Sequence, residues 1–224
     1  MNDYGPIYKE TQIALSKDSL PFIIEPWNTI TAIFFIFISI YWLIKISKSK
    51  NKKDLLFLKF VSFLLLIGGV GGTLYHGFRS HNIFLTLDWG PIVIIALSLV
   101  SWIIYKLTNN IFKTIILNLL SFILIFVLTY FLSNYLPSSI GISIGYIFLS
   151  LYIIIPIIIY LSKNNFKHFN IIFFSFCCFI IGFIFRTIDF NSDFIMGTHF
   201  LWHIFGLLAT HLLFIFIAKL SNES

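Results

Sequence analysis

Two histidines, His199 and His203, stand four residues apart in the stretch "GTHFLWHIFG", residues 197–206, whose other positions are almost all apolar. On a helix that spacing puts both imidazoles on one face, about 6 Å apart along the axis. Two ring nitrogens so placed can ligate a single metal ion. The pair alone is a weak motif, which also serves haem ligation, helix capping or a bond between helices. Ionisable groups inside a membrane are costly, and they point to function by default. A third ligand must come from another segment. His76, at the end of "GTLYH" (72–76), is the histidine at matching depth on a helix end. Three imidazoles with one open position are the usual layout of a catalytic zinc site. Asp88 follows His76 across the turn "RSHN" and is the nearest carboxylate. A carboxylate there can orient a ligand or accept a proton from water.

The composition says what must hold these residues. The chain has 224 residues, of which 58% are hydrophobic and 11% charged, and its mean hydropathy is +0.95. No soluble interior of this size encloses so much apolar surface, so the sequence reads as an all-α integral membrane protein. The net charge of +6 is no nucleic-acid signal, because the lysines gather in the loops between apolar runs. Cys177 and Cys178 are adjacent; neighbouring cysteines rarely bridge each other, and no disulfide framework follows. Asp3, Lys9, Glu10, Lys17 and Asp18 make the first residues too polar for a cleavable signal peptide.

A membrane crossing needs about 20 apolar residues. Seven runs meet this, at 22–45, 55–78, 83–106, 111–132, 140–161, 169–189 and 197–219. They are continuous, without the period-two alternation of a barrel strand. Residues 1–21 then form a polar N-terminal segment, 22–219 a seven-helix membrane domain and 220–224 a short tail. Pro156 is expected to kink the fifth helix. No internal repeat suggests inverted transporter halves. Lys45, Lys48, Lys50, Lys52, Lys53, Lys106, Lys113, Lys163, Lys167 and Lys219 fall on one side of these spans. Only Lys9, Lys17, Arg79 and Arg186 fall on the other. The excess of basic residues predicts an outside N-terminus and a cytoplasmic C-terminus.

On that topology the polar residues sort to one leaflet. Glu25 and Asn28 open the first span, Thr73 and His76 close the second, and Asp88 begins the third. Arg186 and Asp189 end the sixth, and His199 and His203 begin the seventh. Five helices thus direct costly side chains to a single site in the outer third of the bundle. Asp88 and Arg186 also read as a structural ion pair. "GGVGG" (68–72) lacks a following Lys-Ser/Thr, so it reads as close helix packing and not as a phosphate loop. His81 and His168 lie in loops, and His211 is two turns below His203, about 12 Å along the axis and out of reach of the same ion.

The stretches "EPWNTIT" (25–31), "GTLYH" (72–76), "LDWGPI" (87–92), "FRTID" (185–189) and "GTHFLWH" (197–203) resemble the alkaline ceramidase family, in particular its bacterial members. That family belongs to a superfamily of seven-helix metal-dependent membrane hydrolases that includes the progestin and adiponectin receptors. The resemblance implies a zinc ion held by His76, His199 and His203, with Asp88 as the catalytic carboxylate. It implies hydrolysis of the amide of a ceramide-like lipid to a sphingoid base and a fatty acid; with the orientation set by the basic residues, the site is expected toward the outer leaflet of a bacterial cytoplasmic membrane. It further implies a calcium or structural site at Glu25, with Asp3 and Glu10 as the acidic residues of its N-terminal loop, and supporting roles for Asn28, Arg186 and Asp189. Three positions depart from the family. Gly72 stands where a serine is usual, which leaves Thr73 as the nearby hydroxyl for catalysis. Lys9 and Phe194 stand where cysteines are common. A zinc-containing receptor or structural protein without turnover, a hydrolase of another acyl lipid, and a haem protein using His76 and His203 are the other readings of these residues.

Overall fold

A computed structural model describes residues 5–50, 55–133 and 138–222. Among them the chain is helical, with no strand. The helices are α1 (Lys9–Leu15), α2 (Pro26–Ser47), α3 (Leu56–Phe78), α4 (Asn82–Thr108), α5 (Ile111–Ser133), α6 (Ser138–Lys163), α7 (Phe169–Thr187) and α8 (His199–Asn222), with a 3-10 turn at Asp189–Asn191 before α8. Six of them, α2, α3, α4, α5, α7 and α8, are long and apolar enough to cross a membrane. The expected fifth span coincides with α6, in which Ser150–Lys163 is the apolar stretch among the described residues. The structure thus carries a multi-pass, all-helical membrane protein.

The differences from the expected spans have local causes. Pro26 occupies the first turn of α2, where its missing N–H costs nothing, so the helix begins there and not at residue 22. Helix α7 stops at Thr187 because Asp189 leaves the helix for the 3-10 turn. Helix α1 lies within the segment expected to be merely polar. It is only seven residues long, too short to stand on its own hydrogen bonds.

The chain divides into two units, residues 1–93 with 168–224, and residues 94–167. In the first, α2 packs on α3 and α8, and α7 packs on α8. Close approach is written into the glycines, as expected for "GGVGG". A Cβ at Gly69 would come within 2.9 Å of the Ile36 backbone nitrogen on α2, and one at Gly71 within 2.5 Å of the Leu87 carbonyl carbon on α4. Buried apolar side chains of this unit include Trp42, Leu58, Val61, Phe214 and Phe216. In the second unit α5 packs on α6, and Val100, Ile104 and Tyr152 form a buried cluster.

Candidate metal centre

The C-terminus of α3 brings up the first histidine. The last carbonyls of a helix have no partner within it. Here the carbonyls of His76 and Gly77 accept the backbone N–H groups of Glu25 and Ile24, at 3.1 and 2.9 Å. This docks the residue before α2 directly on His76. Glu25 is the N-cap residue of α2, but its carboxylate does not cap the helix. It turns to His76, whose Nδ1 lies 2.5 Å from Glu25 Oε2. Glu10 of α1 caps α2 instead, accepting the N–H groups of Trp27 and Asn28, both at 3.0 Å. An anion at a helix N-terminus is favoured by the aligned peptide dipoles. Burial pushes the Glu10 carboxyl up from its ordinary pKa, against the lowering effect of those two donors.

Helix α8 supplies the other two histidines, and Asp189 sets where it starts. Asp189 Oδ1 accepts the N–H groups of Thr198, at 2.6 Å, and His199, at 2.8 Å. These first N–H groups of the helix would otherwise lack partners. Gly197 turns the chain with φ +75, leaving the Asp189 carboxylate close against it.

His76, His199 and His203 are all buried. One ring nitrogen from each lies within 4.8 Å of the others, so the three can hold a metal ion. Their ring centroids are 4.8 to 5.4 Å apart. The hydrogen bonds favour the same use. His76 gives its Nδ1–H to Glu25, and its buried Nε2 has no hydrogen-bond partner. The Thr31 hydroxyl donates to the carbonyls of Trp27 and Asn28, so it accepts from His203 Nδ1 at 2.9 Å; the Asn28 carbonyl accepts from the same nitrogen at 3.2 Å. His203 therefore keeps Nε2 as its acceptor nitrogen. His199 Nδ1 is buried without a hydrogen-bond partner. Buried polar atoms are rarely left unmatched, and a cation between these rings matches them. Imidazoles whose other nitrogen is held by a carboxylate or carbonyl are the usual form of metal-ligating histidine.

Asp88 reaches the same face of α3. Gly72 precedes His76 by four residues, one turn along that face. A Cβ at Gly72 would fall 2.5 Å from Asp88 Oδ1, so the carboxylate occupies the space that a side chain at 72 would fill. The absence of a side chain at Gly72 is what leaves room for Asp88. Thr73 does not join this group. It lies about 100° round the helix from Gly72, and its hydroxyl donates to the Gly69 carbonyl at 2.7 Å.

Of the residues expected at calcium, Glu25 and Glu10 are engaged by donors of the protein itself. Glu25 already receives four donors: Thr11 Oγ1 (2.6 Å) and Arg79 (2.7 Å) on Oε1, Asn28 Nδ2 (3.0 Å) and His76 Nδ1 (2.5 Å) on Oε2. A carboxylate paired with a guanidinium and saturated with N–H and O–H donors offers little to a second cation. Glu10 is occupied with the α2 N-terminus, and Asp3 lies outside the described residues. Arg186 lies 5.8 Å from the centroid of the Trp202 ring. The three set-aside histidines stay apart from the centre. His211 Nδ1 accepts the Trp42 indole N–H at 3.2 Å, His81 Nδ1 accepts the N–H of Ile83, and His168 precedes α7.

Arg79, Thr31, Thr11 and Tyr8 belong to this site and were not among the expected residues. Arg79 counted only as a loop charge. It is fully buried, ends α3 in a left-handed conformation with φ 45, and also donates to the Pro6 carbonyl at 3.0 Å. Its place four residues after Tyr75 was the available signal, since that spacing returns it to the same helix face; its guanidinium lies 5.0 Å from the Tyr75 ring centroid. No family model and no curated protein matches this chain. The resemblance to alkaline ceramidases therefore stands on its short motifs.

Proposed function

We propose that this chain is a seven-helix membrane zinc hydrolase that cleaves the N-acyl amide of a ceramide-like lipid, releasing a sphingoid base and a fatty acid. The observation that carries the reading is the convergence of three buried histidines, two with an unmatched ring nitrogen, on the helix face where Asp88 packs against Gly72. Three imidazoles, two of them with the second nitrogen held by an acceptor, suit zinc. Zinc held there would supply a Lewis acid for the amide carbonyl and raise the acidity of water near neutral pH. Asp88 is the group for the proton: it accepts one from the attacking water and returns it to the departing amine. Glu25, Asn28 and Thr31 hold His76 and His203 in the tautomers that leave Nε2 to the metal. The α7–α8 connection holds α8 at its first turn through Asp189.

The reading includes seven crossings, with α6 as the fifth, and an N-terminus outside the cell. The site then lies in the outer leaflet of a bacterial cytoplasmic membrane, at the depth where a lipid amide meets the headgroup region. A second reading, a zinc-containing receptor or structural protein without turnover, is favoured by one feature. Gly72 lacks the hydroxyl of the family's serine, and the Thr73 hydroxyl is turned to its own helix. The deciding experiment incubates purified, zinc-replete protein with a panel of ceramides, other N-acyl lipids and ester lipids, read by mass spectrometry. Release of fatty acid and sphingoid base from ceramide supports the amidohydrolase. Zinc-loaded protein that turns over none of the panel overturns it in favour of the second reading.

A further inference from the structure

Two of the three histidines have Nδ1 held by an acceptor; His199 does not. Its buried Nδ1 is one of the nitrogens that a cation would match, and His199 is the first residue of α8, where no preceding helical turn restrains its side chain. What lies against it is a ring. The Tyr8 phenol stacks on the His199 imidazole with centroids 3.7 Å apart and planes 21° from parallel. The same ring lies 5.6 Å from His76, and Tyr8 is 7% exposed.

The backbone around Tyr8 is tied to the same residues that build the centre. Its N–H donates to Thr11 Oγ1 at 2.9 Å, and that hydroxyl donates to Glu25. The next N–H, of Lys9, donates to Asp189 Oδ2 at 2.9 Å. Asp189 Oδ1 holds the N–H of His199. One carboxylate thus pins the backbones on both sides of the stack, and the Lys9 ammonium donates to the Ser192 carbonyl beyond it.

We infer that Tyr8 is a positioning residue of the metal centre: the face of its ring sets the plane of the His199 imidazole, and the N-terminal segment is thereby part of the site. The inference rests on the reading of the three histidines as a metal centre. A ligand imidazole loses electron density to the metal, and an electron-rich phenol face packs against it more favourably. Metal binding and docking of residues 8–15 therefore support each other.

The test uses full-length protein with Tyr8→Phe and Tyr8→Leu. Zn2+ affinity is measured by chelator competition and site geometry by the visible ligand-field spectrum of Co2+-loaded protein. Tyr8→Phe keeps the ring face and is expected to match wild type in both. Tyr8→Leu keeps the bulk without the face and is expected to weaken Zn2+ binding roughly 10–100-fold and alter the Co2+ bands. A Tyr8→Leu protein with wild-type affinity and spectrum overturns the inference, as does a Tyr8→Phe protein that loses both. Independently of whether Tyr8→Leu folds, Zn2+ should slow amide hydrogen exchange across residues 8–15 of wild type, and unchanged exchange overturns the coupling. A wild type that takes up neither ion removes the metal-centre reading itself; one that binds normally while the Tyr8→Leu result fails removes this inference alone.

Discussion

Glu25 and His76, 51 residues apart in the chain, meet at 2.5 Å with neither side chain exposed. The same carboxylate pairs with the buried Arg79 guanidinium at 2.7 Å. A desolvated ion pair is supported only when its remaining lone pairs are matched, and Thr11 and Asn28 match them here. Glu25→Gln keeps the volume but removes the charge opposite Arg79. Stability should fall by about 3–5 kcal/mol, read by thermal unfolding in detergent. Zinc affinity should fall roughly 10–100-fold, because His76 loses its charged acceptor. Wild-type values for both would remove Glu25 from the site.

Asp88→Asn preserves shape but cannot accept a proton. Lipid hydrolysis should drop by roughly two to four orders of magnitude while zinc content stays at the wild-type level, because the three histidines remain. If Asp88 instead only anchors a ligand, zinc affinity falls and activity returns in excess zinc. Turnover at the wild-type rate would exclude Asp88 from the mechanism.

Gly72→Ala separates seating of the carboxylate from its chemistry. The new Cβ would fall 2.5 Å from Asp88 Oδ1, so the carboxylate must move. A displacement of that order should lower turnover about 100-fold without loss of zinc. Full activity in Gly72→Ala would mean that Asp88 works from another position.

Much of this arrangement was legible in the sequence because lipid makes polar residues costly. The helix runs could be placed within a few residues, and the three histidines could be grouped because His76, His199 and His203 all stand at helix ends on one predicted side. What pairs with them was harder to read. Glu25 and Arg79 meet only after α3 ends in a left-handed residue and the chain before α2 docks on its last carbonyls, and neither event has a periodicity. Helix α1 has no apolar stripe long enough to announce itself; it is held by Glu10 and Thr11 reaching α2 and Glu25. The resemblance assigned Glu25 and Glu10 to calcium, whereas in the structure peptide and side-chain donors occupy them. Gly72 looked like a lost hydroxyl and is, in space, the seat of Asp88.

Orientation can be checked by labelling. Asn82 begins α4 and Asn109 follows it, at opposite ends of one apolar helix. In intact cells Asn82→Cys should react with a membrane-impermeant thiol reagent and Asn109→Cys should not, as the basic residues at Lys106 and Lys113 require. The reverse pattern would put the histidine centre on the cytoplasmic side and change the pool of lipids that it meets.

The central claim is that His76, His199 and His203 form one metal centre. Metal analysis of the purified chain after zinc loading and removal of excess tests it most directly. The account predicts about one zinc per chain in wild type and loss of that ion in the His76→Ala, His199→Ala double variant. Wild-type protein that retains no metal, or a double variant that retains it in full, would contradict the account.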